Sequence, residues 1–169
     1  MTDLTPEQIA RIEYLATDEW VVDDGGPDDD AQSWLNFTRC LNEMSSIELH
    51  HFACNFNWDC GVKELNAMID HRECDAGTAL MIYWSGQPAE YYRAESRGHL
   101  TPDDSEVVEL LRKIENKLVG KEFTKNNIAC DPLNMMGQPK NRGSDQEREI
   151  VPDQMFQKLD GIEIEPHWC

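Results

Sequence analysis

Basic residues are scarce in this chain. Lys and Arg number 15 against 33 Asp and Glu, a formal net charge of −18. That balance excludes binding to a nucleic-acid backbone, where Lys and Arg must displace counterions from phosphates. It also disfavours an anionic lipid surface. No apolar run approaches the roughly 20 residues of a membrane span. The first residues, MTDLTPEQIA, show no basic start followed by an apolar stretch, so no secretory signal and a cytoplasmic location are expected. The sequence has no C-x-x-C pair, no Gly-rich phosphate loop ending in Lys-Ser/Thr, no G-x-G-x-x-G and no G-x-S-x-G. Without a recognised catalytic spacing, the expectation is a non-enzymatic protein with no cofactor.

What is abundant is acid, and it is concentrated. Residues 1–30 hold 10 acidic residues and 1 basic, half of the chain's excess. The densest part is Asp23, Asp24, Asp28, Asp29 and Asp30 around Gly25-Gly26-Pro27. Gly and Pro make that segment a loop. Two readings stand side by side: a solvated acidic loop, or a docking surface for a metal ion or a basic protein. A Ca²⁺ loop of the EF-hand kind needs oxygen ligands at positions 1, 3 and 5, Gly at 6 and Glu at 12. Started at Asp18 or Asp24, that spacing fails.

Periodicity predicts an all-α fold: a compact bundle or short stack of about six to seven helices within one domain, residues 1–169. Thr5-Pro6-Glu7-Gln8 is a helix start, with Ile9, Ile12 and Ala16 on one face. A second helix follows the acidic loop, capped by one of its Asp residues, with Trp34, Thr38 and Leu41 on one side. Ser45-Ser46-Ile47-Glu48 is a capping box ahead of Leu49, Phe52, Ala53 and Phe56. A fourth helix is expected from about Asp59, with Val62, Leu65 and Ile69 inward. A fifth is expected from Asp75, which can cap the N–H groups of Gly77 and Thr78. Its body, from Ala79 to Trp84, is apolar on every side, so it belongs at the centre of the core. The sixth runs from Thr101-Pro102 to Gly120, with Val107, Leu111, Ile114 and Leu118 buried and a Glu109–Lys113 pair outside. Residues 22–30 and 124–148 are the least able to pack, and 124–148 reads as a long irregular segment. A last short helix from Pro152 to Leu159 and a weak strand at Ile162–Ile164 complete the expectation.

The Cys and His residues form no paired metal signature. His50 and Cys54 lie one helical turn apart, Cys60 sits at a helix start, and His71-x-x-Cys74 is a single pair. Free Cys is among the most buried residue types, so these read first as core thiols. The alternative is a zinc or thiol site built from His50, Cys54, Cys60, His71 and Cys74.

Within residues 46–93 two motifs stand out: Asn57-Trp58-Asp59-Cys60-Gly61, and Cys74-Asp75-Ala76-Gly77-Thr78-Ala79-Leu80. This stretch resembles the small bacterial domain of unknown function 4274. Its pattern is an N-W-D-D-G turn followed by a C-D-x-G-T-A-L turn that opens an apolar helix. Cys60 stands where that pattern has its second Asp. The resemblance covers under half of the chain and leaves residues 1–44 as acidic N-terminal helices and 100–169 as a C-terminal helix and extended tail. Physically the motif residues read as structural. Asp59 and Asp75 cap helices, Gly61 and Gly77 let helix starts pack closely, Thr78 sits in the capped turn, and Trp58 plugs a helix junction.

The family brings no established activity. The resemblance implies an immunity protein of contact-dependent toxin systems: an acidic cytoplasmic protein that binds and neutralises a cognate toxin, expected to be a basic nuclease-type effector. The residues expected to meet that partner are Asp23, Asp24, Asp28, Asp29, Asp30 and Trp34, with Trp20 and Trp168 as further aromatic anchors. Two alternatives remain open at this point: the Cys/His metal or thiol enzyme, and a helical regulatory or scaffold module.

Overall fold

The computed structural model describes residues 4–135 and 143–165. Contacts divide the chain into two units, one holding described residues 4–56 and 164–165, the other Asn57–Glu163. Among the described residues there are eight α-helices and no strand, and no helix is long and apolar enough to cross a membrane.

In the first unit, Thr5 opens α1 (Pro6–Ala16) with a complete capping box, its side chain accepting the Gln8 N–H while Gln8 accepts the Thr5 N–H. The buried pair is Ile12 and Leu15; Ile9 is half-buried and Ala16 exposed, a correction to the expected face. α2 (Asp29–Leu41) has no side-chain cap at Asp28. Its buried stripe is Ser33, Phe37 and Leu41 rather than Trp34, Thr38 and Leu41. The stripe turns because the segment before the loop lies on that side. The Val22 N–H donates to Ser33 Oγ at 2.8 Å, and Asn36 Nδ2 donates to the Trp20 carbonyl at 3.2 Å. α3 (Ser46–Cys54) starts at the predicted Ser45/Glu48 box and buries every residue from Glu48 to Ala53. Glu48 ties it to α1. Its carboxylate meets Arg11 at 2.6 Å and accepts Ser45 Oγ at 2.6 Å.

In the second unit, a 3₁₀ turn at Trp58–Cys60 precedes α4 (Lys63–Asp70). The fourth helix therefore does not start at Asp59. Val62 occupies the cap without a side-chain bond, while Val62, Leu65, Met68 and Ile69 are buried. α5 (Ala76–Ser85) is the central helix that its all-round apolarity required, with eight of its ten residues buried. α6 (Pro88–Ser96) was not foreseen. Its charged residues hide a short apolar face of Ala89 and Tyr92. α7 (Pro102–Val119) has the predicted Thr101 cap, completed into a capping box by Asp104, and packs against α5 and α6. It buries Val108, Leu110, Leu111, Ile114 and Glu115; Val107 and Leu118 are only half-buried. Lys113 turns from Glu109 to Asp70 at 2.6 Å, a carboxylate it shares with Lys117 at 3.3 Å.

The irregular segment is tied down where it is described. Ile128 and Cys130 are buried, and residues 127–130 pair with 159–162 through backbone bonds of 2.7–2.9 Å. These are isolated bridges, so the strand expected at Ile162–Ile164 reduces to one bridge from Ile162 to Ile128. α8 (Asp145–Arg148) and a 3₁₀ turn at Asp153–Phe156 follow, the latter in place of a helix to Leu159.

Candidate functional site

The acidic loop has a defined shape. The Asp29 carboxylate folds back and accepts the Asp24 and Gly26 N–H groups at 3.1 and 2.9 Å. Gly25 adopts φ +75°, which favours glycine, and a Cβ on Gly26 would stand 2.8 Å from Asp29 Oδ1. Asp29 is thus half-buried and internally engaged, while Asp23, Asp24, Asp28 and Asp30 are exposed. From Asp18 to Asp30 there are seven carboxylates and no Lys or Arg. Among the described residues none of the five loop Asp residues forms an ion pair.

Trp34 stacks on Phe37 with ring centroids 5.1 Å apart and planes at 16°, and Trp20 meets the same ring at 5.1 Å. Both Trp residues are half-buried, so each offers only part of its surface. Val21 and Leu35, which the sequence did not single out, are each 48% exposed. Trp168 lies outside the described residues.

The two motif aspartates, alike in sequence, differ in the fold. Asp59 is exposed and caps no helix; its N–H donates to Asn57 Oδ1 at 3.1 Å. Gly61 sits at φ +92° with nothing near its absent side chain, so its role is conformational rather than close packing. Trp58 does fill a junction: a Cβ on Gly86 would lie 2.9 Å from its ring and 3.0 Å from Leu111. Asp75 is fully buried and caps Gly77 at 2.8 Å, and Thr78 beside it is also fully buried. Asp75 further accepts the Asn127 N–H at 2.7 Å and the Ile128 N–H at 3.2 Å. Gly77 keeps the close-packing role expected of it, because a Cβ there would lie 2.1 Å from the Ile128 carbonyl oxygen.

Of the candidate thiols and imidazoles, Cys74 and His50 are buried in the core, while Cys54 and His71 are half-buried. Burial pushes the Cys40 thiol up to about 11 and the Cys74 thiol up to about 12. Both are therefore protonated at neutral pH, the opposite of an activated nucleophile. Burial, then the neighbouring His51 charge, pushes His50 down to about 4. His71 Nδ1 accepts the Glu73 N–H at 3.2 Å, and burial lowers its pKa. Cys54 is half-buried, and the side chain of Cys60 lies outside the described set. Among the described residues no three His, Cys, Asp or Glu side chains form a group able to hold a metal ion.

One buried polar cluster escaped the sequence reading. Glu115 Oε1 accepts the Tyr83 and Tyr92 hydroxyls at 2.5 and 2.8 Å. Arg112 donates to Oε2 at 3.1 Å and covers the Tyr92 ring at 3.8 Å. Burial first, then Tyr92 and the Glu115 carboxylate, raise the pKa of Tyr83; burial first, then Glu115, raise that of Tyr92 against the opposing pull of the Tyr83 hydroxyl and Arg112. The signal was an acid four residues after Leu111, on the helix face that also carries Val108. An open groove of about 620 Å³ along α7 is lined by Asp70, Arg112, Lys113 and Lys117, and each of these cations is paired with a carboxylate.

Together these features define an all-helical protein with a buried carboxylate network in one unit and an unneutralised acidic loop in the other. Residues 44–119, a little under half of the chain, match the family model described as Domain of unknown function (DUF4274). The match includes both motifs and supports the family resemblance of this segment. No curated protein and no solved structure matches the chain.

Proposed function

We propose that this chain is an immunity protein that binds and masks a cognate basic toxin, a nuclease-type enzyme acting in the cytoplasm. The observation that carries this reading is the acidic loop: seven carboxylates and no cation from Asp18 to Asp30, four of the loop Asp residues exposed. A nuclease must present cations to substrate phosphates. Carboxylates on a loop already held by Asp29 compete for those cations, with less ordering cost on binding than a floppy acidic tail would incur. Such a field speeds the encounter and selects against acidic partners. Exposed Val21 and Leu35, with the accessible parts of Trp20 and Trp34, supply apolar contact of the kind that slows dissociation.

The test uses the purified chain and the protein product of the neighbouring gene. A stoichiometric complex that abolishes nuclease activity is the expected result. Raising salt from about 0.05 to about 0.5 M should slow association at least tenfold, and so should the combined change Asp23→Asn, Asp24→Asn, Asp28→Asn, Asp30→Asn. Failure to form a complex rejects the function. A complex whose association rate ignores both salt and the substitutions rejects the acidic loop as its binding surface.

A further inference from the structure

We propose that the start of α5 is a socket for an extended polypeptide, read mainly through its backbone, and that residues 125–128 are the occupant the chain supplies to itself. Asp75 is fully buried, and both of its oxygens take main-chain donors of the occupant: Oδ2 from Asn127 at 2.7 Å and Oδ1 from Ile128 at 3.2 Å. The Ala76 N–H donates to the Lys125 carbonyl at 2.9 Å. On the occupant's side each of these bonds ends on a backbone atom, as in strand addition. Gly77 serves the same purpose. Glycine weakens a helix, and the space it leaves here holds the Ile128 carbonyl, 2.1 Å from where a Cβ would be.

The position of the family match makes this more than a loop contact. Asp75, Ala76 and Gly77 fall inside the matched segment, residues 44–119, and the occupant falls outside it. The matched segment holds the socket, and the occupant reaches it from the chain beyond that segment. Side chains set the class of ligand. Lys125 Nζ pairs with Glu73 at 3.2 Å, and Ile128 is 2% exposed. The socket therefore takes an extended segment with a cation three residues before an aliphatic side chain. Tethered in the same chain, residues 125–128 act at high effective concentration and exclude a competing segment.

The experiment keeps the full chain. Protease sites inserted after Glu122 and after Asp131 allow the folded protein to be nicked on both flanks of the occupant, which is thereby cut free, with all pieces present. The probe is a fluorescent synthetic peptide of residues 123–132. The nicked chain is expected to bind it, and the intact chain to bind it at least about 100-fold more weakly. Methylating the Asn127 backbone nitrogen of the peptide should weaken binding by about 10- to 100-fold, the value of one bond to a charged acceptor. The same methyl on Asn126 should cost less. Gly77→Ala in the nicked chain should remove binding, and the methylated peptides give the answer even if that variant does not fold. Unfolding of the chain on nicking, absence of peptide binding, or equal binding of the two methylated peptides would overturn the proposal. None of these outcomes depends on the toxin partner.

Discussion

Replacing Asp75 with alanine removes three hydrogen bonds at once, and the fold assigns them different costs. The bond to Gly77 is an N-cap, worth about 1 kcal/mol. The Ile128 N–H is left in a site where its residue is 2% exposed, so it forfeits most of its hydration, about 2 kcal/mol. Asn127 is exposed and its N–H can find water, which puts its loss at the low end of the range. Asp75→Ala should therefore destabilise the chain by about 4 kcal/mol. Asp75→Asn keeps Oδ1 for Gly77 and Ile128 but sets an NH₂ against the Asn127 N–H, for a loss of about 2 kcal/mol. Urea unfolding measures both, with an unchanged slope confirming that the same surface is exposed. Hydrogen exchange at Asn127 and Ile128 adds a local reading: both amides should lose protection in Asp75→Ala, and Asn127 in Asp75→Asn. A cost near 1 kcal/mol for Asp75→Ala, the value of a lone cap, would refute the reasoning. So would unchanged exchange at those two amides.

Three further outcomes follow from other sites. Folded His50 has its pKa lowered from 6.5 to about 4, so the unfolded chain takes up the proton first as pH falls; this contribution to stability is complete above about 6.5 and is lost on acidification toward 4. Between pH 7 and pH 4 the wild type should lose about 3 kcal/mol more than His50→Gln in urea titrations, and parallel curves would refute the assignment. Arg11→Ala leaves Glu48, 1% exposed, without its cation and should cost about 2 kcal/mol by chemical denaturation, less than a fully enclosed pair because Arg11 is 29% exposed. That pairing matters because burial alone would raise the Glu48 carboxyl, whereas hydrogen bonds from Ser45 and Arg11 hold it below its ordinary range. Gly61→Ala meets no atom within 4 Å yet should lower stability by about 2 kcal/mol in thermal unfolding, because φ +92° strains any residue with a Cβ. No measurable loss would place its role elsewhere.

Helix starts were legible without coordinates because their causes are local. The caps at Thr5, Ser45 and Thr101 act over three residues, and each of these helices opens where the sequence placed its cap. The central position of α5 was also legible, since a helix apolar on every side has no face to give to water. The short face of α6 was not, because Glu90, Arg93 and Glu95 interrupt the pattern that reveals longer helices. The acidic loop could be located by composition, but not the use of Asp29 to hold its backbone.

The two Asp-x-Gly starts show where sequence stops. Asp59 and Asp75 carry the same local signal, yet Asp59 is exposed and Asp75 is fully buried. What separates them is the chain about 50 residues after Asp75, which brings the Asn127 and Ile128 amides to one carboxylate and not to the other. Composition and periodicity determined the helical class, the caps and the concentration of charge, since those depend on neighbours along the chain. The turned stripe of α2, the Tyr–Glu–Arg cluster and the filled socket at Asp75 were decided by tertiary structure alone, because a buried polar group persists only where distant segments supply its partners.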